Sequence, residues 1–146
     1  AGNGGSAAEA QHIAAEFVGR FQIERKGYPA IALTTDTSAI TSIGNDYTYE
    51  EIFSRQAQAL IDKGDIIFLL STSGNSINLI QACEQSRNKG AFCIGLLGKN
   101  GGLLKEKCDI VIIVPTESTA RIQEIHLLIL HSICEATELQ LANLGI

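Results

Sequence analysis

The sequence predicts an α/β fold, a three-layer doubly wound parallel sheet. Short apolar runs, nearly continuous and rich in β-branched residues or Phe, alternate along the chain with segments that carry apolar residues at helical spacing. Polar loops rich in Gly, Ser and Thr stand where runs end and helices begin. Runs buried on both faces and alternating with helices are the pattern of parallel strands joined by right-handed crossovers, in the order α-β-α-β-α-β-α-β-α.

Each element has its own warrant. Ala7 to about Phe21 is Ala-rich and lacks a breaker until Gly19, which predicts a helix. Ala30–Thr34 is a strand candidate. Tyr49 to Lys63 places Ile52, Phe53, Ala57, Leu60 and Ile61 at helical spacing and stops at Gly64. Ile66–Ser71 is the strongest strand. Ser76 to Lys89 carries Ile77, Leu79, Ile80 and Cys83 and ends at Gly90, predicting a helix. Ala91–Leu97 and Ile110–Val114 are further strands, with a short helical turn between Gly101 and Lys107. Thr119 to about Leu141 is the longest helix. The glycine turn Gly2–Ser6 leads straight into the first helix, and in doubly wound sheets such a turn follows a strand. A whole domain is therefore expected to hold at least five strands, the first before Ala1. The chain contains no Met and is read as one N-terminally truncated domain over residues 1–146.

Composition narrows the function. Eleven Lys and Arg against 16 Asp and Glu give a net charge of −5, with no basic run, which disfavours nucleic-acid and anionic-membrane partners. No apolar run approaches the roughly 18 residues that span a bilayer. With 45% apolar and 18% charged residues, the chain has the means to build a core. The four cysteines Cys83, Cys93, Cys108 and Cys134 form no C-x-x-C pair, which excludes a zinc knuckle and a thioredoxin-type motif. They are expected to be reduced, mostly buried thiols of a cytoplasmic protein.

Ligands of open parallel sheets bind at the carboxyl ends of the strands. Two loops there have the composition of an anion site. Gly2-Asn3-Gly4-Gly5-Ser6 permits close backbone approach, and Ser71-Thr72-Ser73-Gly74-Asn75-Ser76 gathers four hydroxyls at a helix N-terminus. Neither loop contains Lys, and neither a Walker A nor a G-x-G-x-x-G pattern occurs, so a phosphate monoester on a small molecule is expected, not a nucleotide. The alternative for Ser71–Ser76 is a polar turn with Ser76 as helix N-cap.

On the first helix His12 and Glu16 are four apart and share a face, where they could ligate one metal ion or act as an acid and a base. The long final helix is apolar nearly all round, which predicts packing against a partner subunit as well as the core. His126 on it is expected to be a satisfied structural histidine. Gln123 and His131 are eight apart, about 12 Å along a straight helix. Both reach one small ion only if the helix bends or different subunits supply them.

These segments together resemble the SIS (sugar isomerase) domain family, and within it the bacterial phosphoheptose isomerases. The matching stretches are Gly2–Ser6, Gln11-His12 with Ala15-Glu16, Gly19-Arg20, Tyr28–Ala32, Gly44-Asn45-Asp46, Ser71–Ser76 and Ala120–His126 with His131. The resemblance implies isomerisation of sedoheptulose 7-phosphate to D-glycero-D-manno-heptose 7-phosphate, an early step toward lipopolysaccharide core and other surface polysaccharides. It implies a cytoplasmic homotetramer with active sites between subunits. By position, substrate contacts fall on Asn3, Gly4, Gly5, Glu16, Asn45, Asp46, Ser71, Thr72, Ser73, Ser76 and Gln123. The family's acid/base pair falls on Glu16 and His131, and its zinc ligands fall on His12, Glu16, Gln123 and His131. The rival within the family is a non-catalytic binding protein that associates with the bacterial replication initiator. It lacks the carboxylate at Glu16 and the histidine at His131 and has Arg at Ser73; this chain keeps all three enzymatic residue types.

Overall fold

The computed structural model describes residues 1–145. Three strands, β1 (Ile66–Ser71), β2 (Phe92–Gly98) and β3 (Ile110–Val114), form a parallel sheet in the order β1-β2-β3. The register sets Ile66 opposite Phe92 and Ser71 opposite Leu97, then Ile94 opposite Ile110 and Gly98 opposite Val114. Helices α1 (Gly5–Val18), α2 (Thr37–Asp46), α3 (Ser54–Leu60), α4 (Ile77–Asn88) and α5 (Thr119–Asn143) complete the chain.

The period of two along each strand separates two apolar layers. Ile67 and Leu69 of β1, with Cys93 and Leu97 of β2, join a core that includes Phe53, Ala57, Leu79 and Ala82 from the α3–α4 side. Phe68, Leu70 and Leu96 face the other way, onto Ala10 and Ile13 of α1 and Leu130 and Cys134 of α5. The three-layer α/β arrangement is thus present, with α1 and α5 on one face and α3 and α4 on the other.

Three local expectations change. Ala30–Thr34 is not a strand. It has no ladder partner, and an apolar cavity of about 650 Å³ separates it from the open edge of β1. Among the described residues only Ala1 and Gly2 pair beside that edge: the Leu70 N–H donates to the Ala1 carbonyl, and Gly2 bridges Leu70 in parallel sense. The Tyr49–Lys63 helix is interrupted. A 3₁₀ turn covers Tyr49–Glu51, and α3 begins only at Ser54, after Ile52 and Phe53 have entered the core. Finally, α2 is an element that the apolar pattern did not suggest. Asp36 starts it by accepting the Ala39 N–H at 2.9 Å. The short turn before β3 is a 3₁₀ turn over Leu103–Glu106.

Candidate active site

The bridge from Gly2 to Leu70 sets the glycine loop beside the carboxyl end of β1, where Ser71–Ser76 begins. A pair of amides joins the two loops. Asn3 Nδ2 donates to Asn78 Oδ1 at 3.0 Å, and Asn78 Nδ2 donates back to Asn3 Oδ1 at 2.9 Å. The Tyr49 hydroxyl also donates to Asn3 Oδ1, at 3.1 Å. Asn78 and Tyr49 were not singled out from the sequence. Asn78 lies in the first turn of α4, just past the hydroxyl cluster, and that position was its one signal.

Ser71–Ser76 is shaped from within. Ser71 Oγ accepts the Gly74 N–H at 3.0 Å, and Ser73 Oγ accepts the Asn75 N–H at 3.1 Å. Gly74 has φ +68°, and a Cβ there would run into the Gly101 carbonyl. Only glycine meets both demands. The loop after β2 therefore closes over this one, with the Leu104 N–H donating to the Gly74 carbonyl and the Leu103 N–H to Asn75 Oδ1. Ser76 occupies the N-cap position of α4 but its hydroxyl does not cap it, so the helix has its N-terminal dipole and no side-chain acceptor among the described residues. Asn45 and Asp46 end α2, are exposed, and bond to each other at 2.8 Å.

The titratable cluster lies in the α1–α5 layer. His12 Nε2 is 2.9 Å from His131 Nε2, and 3.4 Å from Glu16 Oε1. The two facing nitrogens are at hydrogen-bond distance, with donor and acceptor set by the tautomers. Phe21 stacks on His131, with ring centroids 5.4 Å apart and planes 15° from parallel. One ligand atom from each of His12, Glu16 and His131 lies within 4.8 Å of the others, so these three could hold a metal ion. Gln123 is placed elsewhere. Its amide packs on Gly5, where any Cβ would collide with it, about 12 Å up α5 from His131 by helical rise. The cluster itself sits seven residues below Gly5 on α1, about 10 Å.

Two carboxylates near this cluster escaped the sequence reading. Glu9 is buried, its Oε2 has no hydrogen-bond partner among the described residues, and burial raises its carboxyl to about 7. Its spacing of three from His12 was the available signal. Glu138 is the second. Its Oε1 accepts the Phe21 N–H and Arg25 Nε, each at 2.7 Å, while Oε2 accepts the Gln22 N–H at 2.8 Å. Arg25 in turn donates to the Glu16 and Phe17 carbonyls and lies over the Tyr28 ring. His126 is buried, with Nε2 3.1 Å from the Leu97 carbonyl oxygen, but its Nδ1 has no hydrogen-bond partner among the described residues, so the expected satisfied histidine is satisfied at one ring nitrogen only; burial lowers its pKa.

Burial works against the Glu138 charge, but the backbone N–H groups and Arg25 outweigh it and hold the carboxyl at about 2, against 4.5 when free. A depressed carboxyl pKa stabilises the fold above the unfolded value, and that stability is lost as pH falls through the folded one. Wild-type Tm is therefore expected to drop between pH 4.5 and about 2. In Glu138→Gln the whole curve lies lower and is flatter across that window. Thermal melts across the range test this; parallel curves for the two proteins would contradict it.

Comparisons with known proteins identify the family. The SIS domain family model matches residues 1–98. The phosphoheptose isomerase of Aliarcobacter butzleri is 54% identical over 142 residues, 97% of this chain and 75% of that protein. The phosphoheptose isomerase of a Nitratiruptor species is 56% identical over 133 residues, 91% of this chain and 71% of that one. The solved phosphoheptose isomerase of Francisella tularensis superposes with a TM-score of 0.88 at 40% identity, covering 92% of this chain and 72% of its own. With the family model spanning most of the chain and relatives identical at over half their aligned residues, this chain belongs to the SIS domain family and, within it, to the phosphoheptose isomerases.

Proposed function

We propose that this chain interconverts sedoheptulose 7-phosphate and D-glycero-D-manno-heptose 7-phosphate, supplying heptose for surface polysaccharides from the cytoplasm. One observation carries the reading: His12, Glu16 and His131 meet within hydrogen-bonding reach, about two helical turns below a loop pair built for a phosphate. In a seven-carbon sugar 7-phosphate the reacting carbons C1 and C2 lie at the far end from the phosphate. A separation of about 10 Å suits such a molecule better than a triose phosphate.

The Ser71, Thr72, Ser73 and Ser76 hydroxyls and the N-terminus of α4 take the phosphate, with Asn3, Gly4 and Gly5 alongside. That remote binding holds the carbon chain in place for the reaction. Asn45 and Asp46 present an amide and a carboxylate to sugar hydroxyls, and Gln123 contributes from α5. In the open-chain ketose Glu16 takes a proton from C1, its carboxyl exchanges that proton with solvent, and it then delivers a proton to C2. His131 gives a proton to O2 as the enediolate forms and takes one from O1 as the aldehyde appears. Each proton lost at one atom is thereby restored at its neighbour.

The donor set of two imidazoles and a carboxylate, already gathered within 4.8 Å, fits zinc. When bound, zinc would polarise the substrate oxygens as a Lewis acid. Gln123 as a fourth ligand would then come from another copy of the chain, in keeping with a homotetramer whose active sites lie between subunits. The exposed Leu128 (65%) and Val18 (55%), on α5 and α1, offer apolar surface to such a neighbour.

Glu16→Gln and His131→Ala are each expected to lower kcat for sedoheptulose 7-phosphate by about 100-fold or more, read in a coupled assay. Turnover near wild type in both would contradict the assignment. Chelator-treated protein is expected to contain no zinc by elemental analysis and to regain activity on zinc addition. Full activity of verified metal-free protein would remove zinc from the reaction.

A further inference from the structure

Three of the four thiols lie together at the end of the sheet opposite the phosphate loops. Cys83, on α4, is fully buried, and its Sγ lies 4.0 Å from Cys108 Sγ. Cys108 is only partly buried and lies outside helix and strand, between the Leu103–Glu106 turn and β3. Cys93, at the start of β2, is fully buried, and its thiol points to the Cys83 carbonyl at 3.7 Å. Nothing in the proposed isomerisation uses these groups.

We propose that Cys83 and Cys108 form a disulfide when the protein meets a hydroperoxide. A disulfide needs a sulfur separation of about 2.05 Å, so the two sulfurs must close about 2 Å. Cys108 is the member of the pair free of regular structure and open to a small oxidant. Its sulfur attacks the peroxide, the O–O bond breaks, and Cys108 becomes a sulfenic acid while water or an alcohol leaves. The Cys83 sulfur then attacks the Cys108 sulfur, the S–S bond forms, the S–O bond breaks, and a second water leaves with the Cys83 proton. The two thiols are oxidised by two electrons and one peroxide is reduced.

The surroundings favour this pair over the others. Hydrogen-bond donation from Cys108 lowers the Cys83 pKa and outweighs burial, and the Arg87 charge adds to it. Arg87 is fixed there by the Lys107 carbonyl at 2.8 Å and Asp109 at 2.7 Å. The Cys83 contact and burial raise the pKa of both Cys93 and Cys108, so access separates them: Cys93 is sealed in the core and Cys108 is only partly buried. Cys134 lies in the other apolar layer. The cross-link would tie α4 to the entry of β3 over a separation of 25 residues and leave the phosphate loops untouched.

Folded protein treated with equimolar hydrogen peroxide, alkylated under denaturing conditions and digested, tests the proposal. Two of the four thiols are expected to resist alkylation, with one peptide pair joined through Cys83 and Cys108. Cys93→Ser and Cys134→Ser keep the link, and Cys108→Ser loses it. Oxidised wild type is also expected to melt at higher temperature than the reduced form. Four alkylated cysteines, a Cys83–Cys93 link, or Cys108 recovered as sulfinic acid without a link would each overturn it. The wild-type peptide map decides even where a variant folds poorly.

Discussion

A carboxylate enclosed by protein keeps its charge only if donors replace the water it has lost. Glu138, on the last turns of α5, is 2% exposed and finds its donors in one short stretch, the N–H groups of Phe21 and Gln22 and the side chain of Arg25. The consequences spread outward from that bond set. The chain leaving α1 must wrap over α5, which seats Phe21 against His131. Arg25 satisfies the carbonyls of Glu16 and Phe17, where α1 runs out of its own N–H donors. The end of α1 that carries Glu16 is therefore fixed to the helix that carries His131, and the two histidines meet.

The sheet supplies the complementary constraint. Parallel strands gather their carboxyl ends on one edge, and there the two polar loops lie side by side, joined by Asn3 and Asn78. Because α1 starts at that edge and runs away from it, the glycine loop and the titratable cluster are two ends of one helix. The length of α1 between them sets the spacing between the two polar loops and the His12–Glu16–His131 cluster. The acidic net charge is no obstacle to the proposed phosphate site, which would rely on hydroxyls, backbone N–H groups and a helix dipole instead of lysines.

Much of this was legible before any coordinates. Ile66–Ser71, Ala91–Leu97 and Ile110–Val114 announced themselves as strands by their nearly continuous apolar runs, although the last, at the sheet edge, is only half-buried over most of its length. The two loops stood out by composition, and His12 with Glu16 by spacing. The misses have physical causes. Ala30–Thr34 has strand composition, but strand structure needs a ladder partner, which composition does not reveal. Thr37–Asp46 is rich in Thr, Ser and Ile, weak helix formers, and a cap at Asp36 starts the helix. The meeting of His12 with His131 spans 119 residues, and Arg25 reaches Glu138 across 113; no local pattern encodes either. Glu9 is buried by the fold closing around it, which its spacing from His12 alone does not reveal.

The central claim is that Glu16 carries the proton between adjacent sugar carbons. Isomerisation of sedoheptulose 7-phosphate in deuterium oxide tests it most directly, with mass spectrometry of both sugars and a ligand-induced thermal shift to confirm binding. Wild-type protein is predicted to place deuterium at C2 of the aldose. Glu16→Gln is predicted to bind the ketose and introduce none. Deuterium incorporation by Glu16→Gln at the wild-type rate would contradict the account.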